Sequence, residues 1–194
     1  MRNEKLKTMI YAAMYVALAI VLDYAKKMIP FASFWPNGGS VDISLIPLVF
    51  ASFHLGWKWG LITSAMQFVV SIAMGATHIY IAPYNPSFGF LCDYIIPSVI
   101  IGASSFLFSR KDRQFNKISL FKMETGILAT MAIRIFSMIL SGAYCWMEEA
   151  VSAGSKAAWA FAISDTLGYG IPTLVILLII VPVLYKTFKT QITR

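Results

Sequence analysis

Three ionisable side chains lie inside long apolar stretches of this 194-residue chain: Asp93, Arg134 and Asp165. A charged group in the hydrocarbon layer of a membrane costs a few kcal/mol unless it is paired or lines a wet cavity. A carboxylate in such a cavity attracts a cation far more strongly than it does in water. These residues therefore indicate a functional site, or alternatively a structural ion pair between Arg134 and one of the aspartates, and such a pair can also shape a pocket.

The fifth apolar stretch places Arg134, Met138, Gly142 and Trp146 at intervals of four residues, so they lie along one slowly rotating helical face. Glycine permits a flat ligand or another backbone to approach, and the indole offers a stacking surface. The alternative is a tryptophan anchor at the membrane interface above a helix-packing glycine.

Catalytic and metal-binding motifs are missing from the sequence. It contains no GxxxxGK[ST] phosphate loop, no HExxH and no GxSxG. Cys92 and Cys145 have no metal-ligand spacing, and His54 and His78 fall near opposite membrane faces in the topology described below. We therefore expect no catalysis, no metal and no cofactor.

Membrane-spanning segments fill most of the chain, which is 58% hydrophobic with a mean hydropathy of +0.71. About 20 helical residues cross a hydrocarbon layer. The sequence predicts an all-α polytopic membrane protein with a bundle of six transmembrane helices, in a single membrane-embedded domain over residues 1–194. The predicted spans are Lys7–Met28, Asp42–Phe53, Trp57–Met74, Phe88–Phe108, Thr125–Trp146 and Trp159–Leu184, of which the second is short and carries Pro47.

The basic residues predict the orientation of these spans, because cytoplasmic loops are enriched in lysine and arginine. With both termini cytoplasmic, most of the lysine and arginine residues that give the chain its net charge of +7 face inward, including the cluster from Arg110 to Lys122. Only Lys26, Lys27 and Lys156 face outward, and Arg134 lies inside a span. The inner cluster is expected to meet anionic lipid headgroups. No basic stripe is interleaved with aromatic residues, so we expect no nucleic-acid partner.

The segment between the first two spans reads as an ordered turn that leads into a helix. Gly38 and Gly39 permit positive φ, Ser40 or Asp42 can cap the helix, and Trp35 could fold over a cavity as a lid.

This segment, Pro36–Pro47 (PNGGSVDISLIP), is the most specific part of a resemblance that extends over essentially the whole chain. Together with Gly56–Leu61 (GWKWGL), Asp93–Ile95 (DYI) and the stretch from Arg134 to Trp146, it resembles the thiamine-specific substrate-binding subunit of energy-coupling factor (ECF) transporters. The resemblance implies a prokaryotic cell-membrane protein that binds a vitamin from outside. It also implies delivery of that vitamin while the subunit is docked on a membrane scaffold protein driven by two ATPase subunits, with no catalysis of its own.

The resemblance assigns site residues unevenly. Asp93 and Tyr94 match the acidic-aromatic pair that meets the cationic ring, with Asp one methylene shorter than the usual Glu. Trp146 and Gly142 match the stacking tryptophan and the close-approach glycine, and Trp35 matches the loop tryptophan.

Three family hydrogen-bonding residues are replaced. Met138, Phe161 and Thr166 stand where the family has His, Tyr and Asn. A ligand group left unpaired costs roughly 1–3 kcal/mol. The pocket would then hold the pyrimidine differently, with Gln67 among the residues that could compensate, or prefer a thiamine precursor or another small heterocyclic vitamin.

On the first span, Ala13 and Ala17 form a small-xxx-small pattern that lets helices approach closely. A similar alanine motif in the family contacts the scaffold, so these residues are candidates for docking. Packing inside the bundle is the alternative.

Two other classes of protein stay open at this stage. A self-sufficient secondary transporter ordinarily shows repeated halves and broken helices, which the hydropathy lacks. A membrane enzyme would use Asp93 or Asp165, but the sequence offers no partner nucleophile or metal set. The preferred hypothesis requires Asp93 and Trp146 to converge beneath the extracellular boundary.

Overall fold

The computed structural model describes residues 2–29, 39–106, 119–146 and 156–192, and in these ranges every regular element is a helix. Six helices follow one another along the chain. They are α1 (Arg2–Lys27), α2 (Leu45–Leu55), α3 (Trp57–Ala73), α4 (Pro86–Ala103), α5 (Leu120–Trp146) and α6 (Lys156–Ile192).

Each predicted span corresponds to one of these helices, which confirms the all-α fold class. Helices α1, α4, α5 and α6 are long and apolar enough to cross a membrane, judged by length and composition. Helix α2 has only 11 residues and α3 has 17. Several predicted bounds differ from the observed ones, most of all in α6, which runs from Lys156 to Ile192 instead of Trp159–Leu184.

Helix α2 occupies the centre of the bundle, since eight of its 11 residues are buried. An apolar helix without a polar face is expected in such a position. It begins at Leu45 and not at the predicted Asp42. Pro47 is the third helical residue, where its missing N–H removes no intrahelical bond. The core around α2 draws on all of the other long helices, α1, α4, α5 and α6, through Ala19, Ile101, Met123, Ile127, Met131, Leu177, Val181 and Tyr185.

Helices α3 and α4 cross at two glycines. A Cβ on Gly60 would lie 2.2 Å from the carbonyl oxygen of Gly102, and a Cβ on Gly102 would lie 2.3 Å from the carbonyl oxygen of Gly60. Close by, the Ser105 hydroxyl donates to the Ser52 carbonyl at 2.6 Å. Only glycine therefore allows the backbones of α3 and α4 to approach this closely.

The outer surface of the bundle is apolar. On α1, six large side chains keep more than half of their surface exposed: Leu6, Met9, Ile10, Met14, Leu18 and Val21. A surface of this kind suits acyl chains and not water. Ala12 and Ala19 point into the bundle, whereas Ala13 and Ala17 are exposed.

Candidate functional site

A cavity of about 350 Å³ opens at the end of the bundle where α1 ends and α2 begins. Its walls come from α1, the segment before α2, α3, the loop after α3, α4 and α5. By the charge distribution of the sequence, this is the extracellular end. The volume falls within the range of small-molecule sites, which is about 300–1,000 Å³.

Asp93 reaches this cavity from a widened turn of α4. The helix is π-helical over Leu91–Ile95, immediately before Pro97. Proline lacks an N–H and its ring crowds the carbonyl four residues earlier, so a wider turn relieves the clash. The Ile96 N–H bonds to the Leu91 carbonyl, which leaves the Cys92 carbonyl without a helical donor. The hydroxyl of Ser137 on α5 donates to that carbonyl at 2.7 Å.

Two side chains of α5 hold the Asp93 carboxylate. The Trp146 indole N–H donates to Oδ2 at 2.6 Å, and the Ser141 hydroxyl donates to the same oxygen at 2.7 Å. Trp146 belongs to a second π-helical turn, Gly142–Trp146, at the end of α5. The structure thus brings together Asp93 and Trp146, the two residues on which the preferred hypothesis depends.

An ion network occupies another part of the cavity wall. The Lys26 ammonium lies 2.8 Å from Asp23 Oδ1 and 3.1 Å from Asp42 Oδ1. The Arg134 guanidinium lies 3.1 Å from Asp42 Oδ2 and donates to the Pro97 carbonyl at 2.6 Å. Two carboxylates are therefore neutralised by two cations.

The partner of Arg134 corrects the sequence prediction. The alternative of a structural ion pair named Asp93 and Asp165 as the partners, but Arg134 pairs with Asp42. Asp42 lies in the segment before α2, 92 residues away in the sequence, where helical spacing gives no indication of a contact.

Asp42 is fixed in this position from several sides. Its backbone N–H donates to the Thr173 hydroxyl of α6 at 3.1 Å, and the Ser44 hydroxyl donates to its Oδ1 at 2.6 Å. Burial alone would raise the pKa of Asp42, but Lys26 and Arg134 lower that pKa well below its usual range. Asp42 is therefore a permanent anion that joins α1 to α5.

Asp93 differs from the other two cavity carboxylates. Across the described ranges, no cationic side chain lies within ion-pair distance of it. Lys27 also borders the cavity, but its ammonium donates to the Gly75 carbonyl at 3.2 Å and lies over the Tyr24 ring. The site thus presents one carboxylate that is hydrogen-bonded but forms no ion pair with any of these residues.

Comparison with known proteins identifies the family of this chain. The family model described as thiamine transporter protein (Thia_YuaJ) matches residues 9–193. The chain belongs to the thiamine transporter protein family. It is therefore a multi-pass protein of the bacterial plasma membrane, in a family of transporters and not of enzymes, in agreement with the expectation of no catalysis.

Two relatives in the thiamine transporter family extend over nearly the whole chain. Thiamine transporter ThiT from Bacillus subtilis (strain 168) is 29% identical over 195 residues, covering 96% of this chain and 94% of the relative. The solved structure of ThiT from Listeria monocytogenes superposes with a TM-score of 0.72 at 20% identity, covering 95% of this chain and 96% of that one. At that identity the second match shows the shared fold.

The other predicted site residues of this family member divide into two groups. Gln67 and Tyr94 line the cavity with Asp93, and the Tyr94 hydroxyl accepts a hydrogen bond from the Tyr80 N–H at 2.8 Å. Trp146 does not itself line the cavity and is connected to it only by its hydrogen bond to Asp93, so its role as a stacking surface stays a prediction. Trp35 lies outside the described residues.

Four predicted residues on α5 and α6 do not line the cavity within the part of the chain that the structure describes: Met138, Gly142, Phe161 and Thr166. Gly142 faces α6, where an added Cβ would lie 3.0 Å from the Ala162 Cβ. Another helix therefore occupies the space that Gly142 leaves. The ligand contacts assigned to these four residues stay predictions.

Sequence analysis missed the ion network as part of the site. Asp23 and Lys26 are three residues apart, a spacing at which helical side chains of opposite charge meet. That signal was present, but Lys26 was interpreted only as an outer-loop charge and Asp42 only as a helix cap.

The ion network predicts a coupled effect on stability. Arg134→Met removes one of the two cations that neutralise Asp42, and should lower the unfolding free energy by roughly 3 kcal/mol, because a buried charge loses its partner. Adding Asp42→Asn should restore part of that loss. Thermal unfolding of the two single variants and the double variant in detergent measures the coupling. Strictly additive losses would show that the two side chains do not interact.

Proposed function

We propose that this chain is the substrate-binding subunit of an ECF-type importer and that it binds thiamine in the cavity beside Asp93. The observation that carries the proposal is the Asp93 carboxylate, which the Trp146 indole holds at the cavity and which has no countercharge among the described residues. Thiamine joins a permanently cationic thiazolium ring to a neutral aminopyrimidine.

The electrostatics favour a flat cation over a neutral guest. In surroundings of low dielectric constant, attraction between a carboxylate and a cation several ångströms away is much stronger than in water. The indole face of Trp146 would add about 0.5–2 kcal/mol if the cation lay over it. An uncharged ligand would leave the carboxylate without that compensation.

The other walls suit a small heterocycle. Tyr80 and Tyr94 provide aromatic surface, and their hydrogen bond joins the loop after α3 to α4. The cavity volume of about 350 Å³ accommodates a vitamin-sized molecule. A thiamine precursor is the alternative ligand. The pyrimidine half alone would contact only part of this wall.

Replacing the Asp93 carboxylate tests the ligand assignment. Asp93→Asn should weaken thiamine binding at least tenfold, because the charge opposite the thiazolium is lost, and should change binding of the neutral pyrimidine half far less. Titration of purified protein, followed by tryptophan fluorescence and calorimetry, measures both affinities. Glu124→Gln, which neutralises a half-buried carboxylate on α5 that does not line the cavity, is the matched control.

The titration also separates the alternatives. Equal thiamine affinity in the wild type and Asp93→Asn would contradict the proposed site. Tighter binding of the pyrimidine half than of thiamine would identify a precursor transporter. Thiamine transport by this chain alone in liposomes, without an ATPase module, would indicate a secondary transporter.

The exposed face of α1 supports docking on a scaffold protein. Ala13 and Ala17 lie one turn apart and both are exposed, whereas Ala12 is 2% exposed and Ala19 is fully buried. This exposure favours contact with another protein over packing within the bundle for Ala13 and Ala17. Small residues on an exposed helical face allow another helix to approach closely.

Large substitutions on this face should separate binding from transport. Ala13→Trp combined with Ala17→Trp should abolish thiamine uptake by cells, because the bulky side chains block helix contact, while binding by purified protein stays at the wild-type level. Ile179→Trp, at an exposed position of α6, is the matched control and should leave uptake intact. Loss of binding in the alanine variant, or normal uptake, would contradict a docking role.

A further inference from the structure

We propose that the side-chain carbonyl of Gln67 is a second recognition point of the cavity, which accepts a hydrogen bond from an amino group on the neutral ring of the ligand. This inference rests on the proposed function and deepens it, because it assigns the part of the ligand that Asp93 does not bind.

Gln67 is fixed between α1 and α3 by a closed set of hydrogen bonds. Its amide Nε2 donates to Asp23 Oδ2 at 2.6 Å and to the Ser71 hydroxyl at 2.8 Å. The Ser71 hydroxyl donates in turn to Asp23 Oδ2 at 2.8 Å. Lys26 holds the other oxygen of Asp23 at 2.8 Å. The Gln67 side chain therefore has one orientation that satisfies all of its neighbours.

The chemistry of these neighbours decides which end of the amide faces the cavity. An ionised carboxylate only accepts hydrogen bonds, so the amide nitrogen must face Asp23. Both hydrogens of the nitrogen are then used, and Oε1 is the end left over. Gln67 is 7% exposed and lines the cavity.

Oε1 has no hydrogen-bond donor among the described residues. In these ranges, Ser64 Oγ is the one buried side-chain oxygen or nitrogen that is both inaccessible to solvent and without a hydrogen-bond partner. Since Gln67 Oε1 also has no partner but is not such an atom, it must be accessible to solvent. Water can satisfy this acceptor while the cavity is empty, but a ligand that displaces the water must supply a donor in its place. The geometry therefore presents a fixed acceptor to whatever fills the cavity.

The two recognition points lie on different walls of one cavity. Gln67 lies on α3 beside α1, whereas Asp93 lies on α4 beside α5, and the ions of Lys26, Asp42 and Arg134 run between the two walls. A ligand with a cationic ring and an amino-substituted neutral ring has one group for each wall. Thiamine has this arrangement, with an exocyclic amino group on its pyrimidine.

Discrimination between two ligands tests this role more sharply than affinity alone. The probes are thiamine and the analogue in which a ring carbonyl replaces the pyrimidine amino group. The wild type should prefer thiamine by roughly tenfold to a hundredfold, because the analogue places an acceptor against an acceptor. In Gln67→Met, which keeps the side-chain length but removes both amide groups, the preference should fall to within about threefold.

Two matched variants bracket the result. Ser64→Ala changes a buried residue on the same helix that does not line the cavity, and should keep the wild-type preference. Asp93→Asn should weaken both ligands to a similar extent, because both carry the thiazolium. If Gln67→Met does not give folded protein, as judged by its melting transition, Gln67→Asn withdraws the carbonyl by one methylene and is measured in the same way.

An unchanged preference in folded Gln67→Met or Gln67→Asn would overturn the inference and leave the proposed function intact. The same holds if the wild type binds both ligands equally. Absence of thiamine binding by the wild type would instead refute the proposed function itself.

Discussion

The site depends on one carboxylate, Asp93, which lies within an apolar bundle. Among the described residues, no cationic side chain forms an ion pair with it. Asp93 stays at the cavity only because α4 widens before Pro97 and α5 supplies hydroxyl and indole donors. Such hydrogen bonds stabilise the anion but do not neutralise it. The protein therefore maintains a local negative charge that a cationic ligand can satisfy, which is the physical basis of selective binding.

The other two carboxylates of the cavity are paired with cations, so within the described ranges only the Asp93 charge is left without an ion pair. Asp23 and Asp42 also lie among polar contacts, but Lys26 lies against both of them and Arg134 lies against Asp42. The same ions join α1, the segment before α2, and α5, so the network also fixes the walls of the cavity relative to one another. Stability and recognition are thus divided between different carboxylates of one site.

Local features of the sequence were sufficient for much of this structure. The six helices follow from hydropathy, whereas the convergence of Asp93 and Trp146 was expected because the resemblance assigns both residues to one site. The partner of Arg134 could not be predicted, because Asp42 is distant in sequence and lies outside any periodic pattern. The widened turns at Leu91–Ile95 and Gly142–Trp146 were missed as well, although Pro97 gave a signal for the first.

The position of bound thiamine would test the central claim most directly. The thiazolium ring contains a sulfur atom, so anomalous diffraction from crystals grown with thiamine, compared with ligand-free crystals, locates that ring without ambiguity. We predict a new sulfur peak beside the Asp93 carboxylate, within reach of the Trp146 indole. A peak beside Gln67 and Asp23, or outside the cavity, would contradict the assignment of Asp93 as the group that binds the cation.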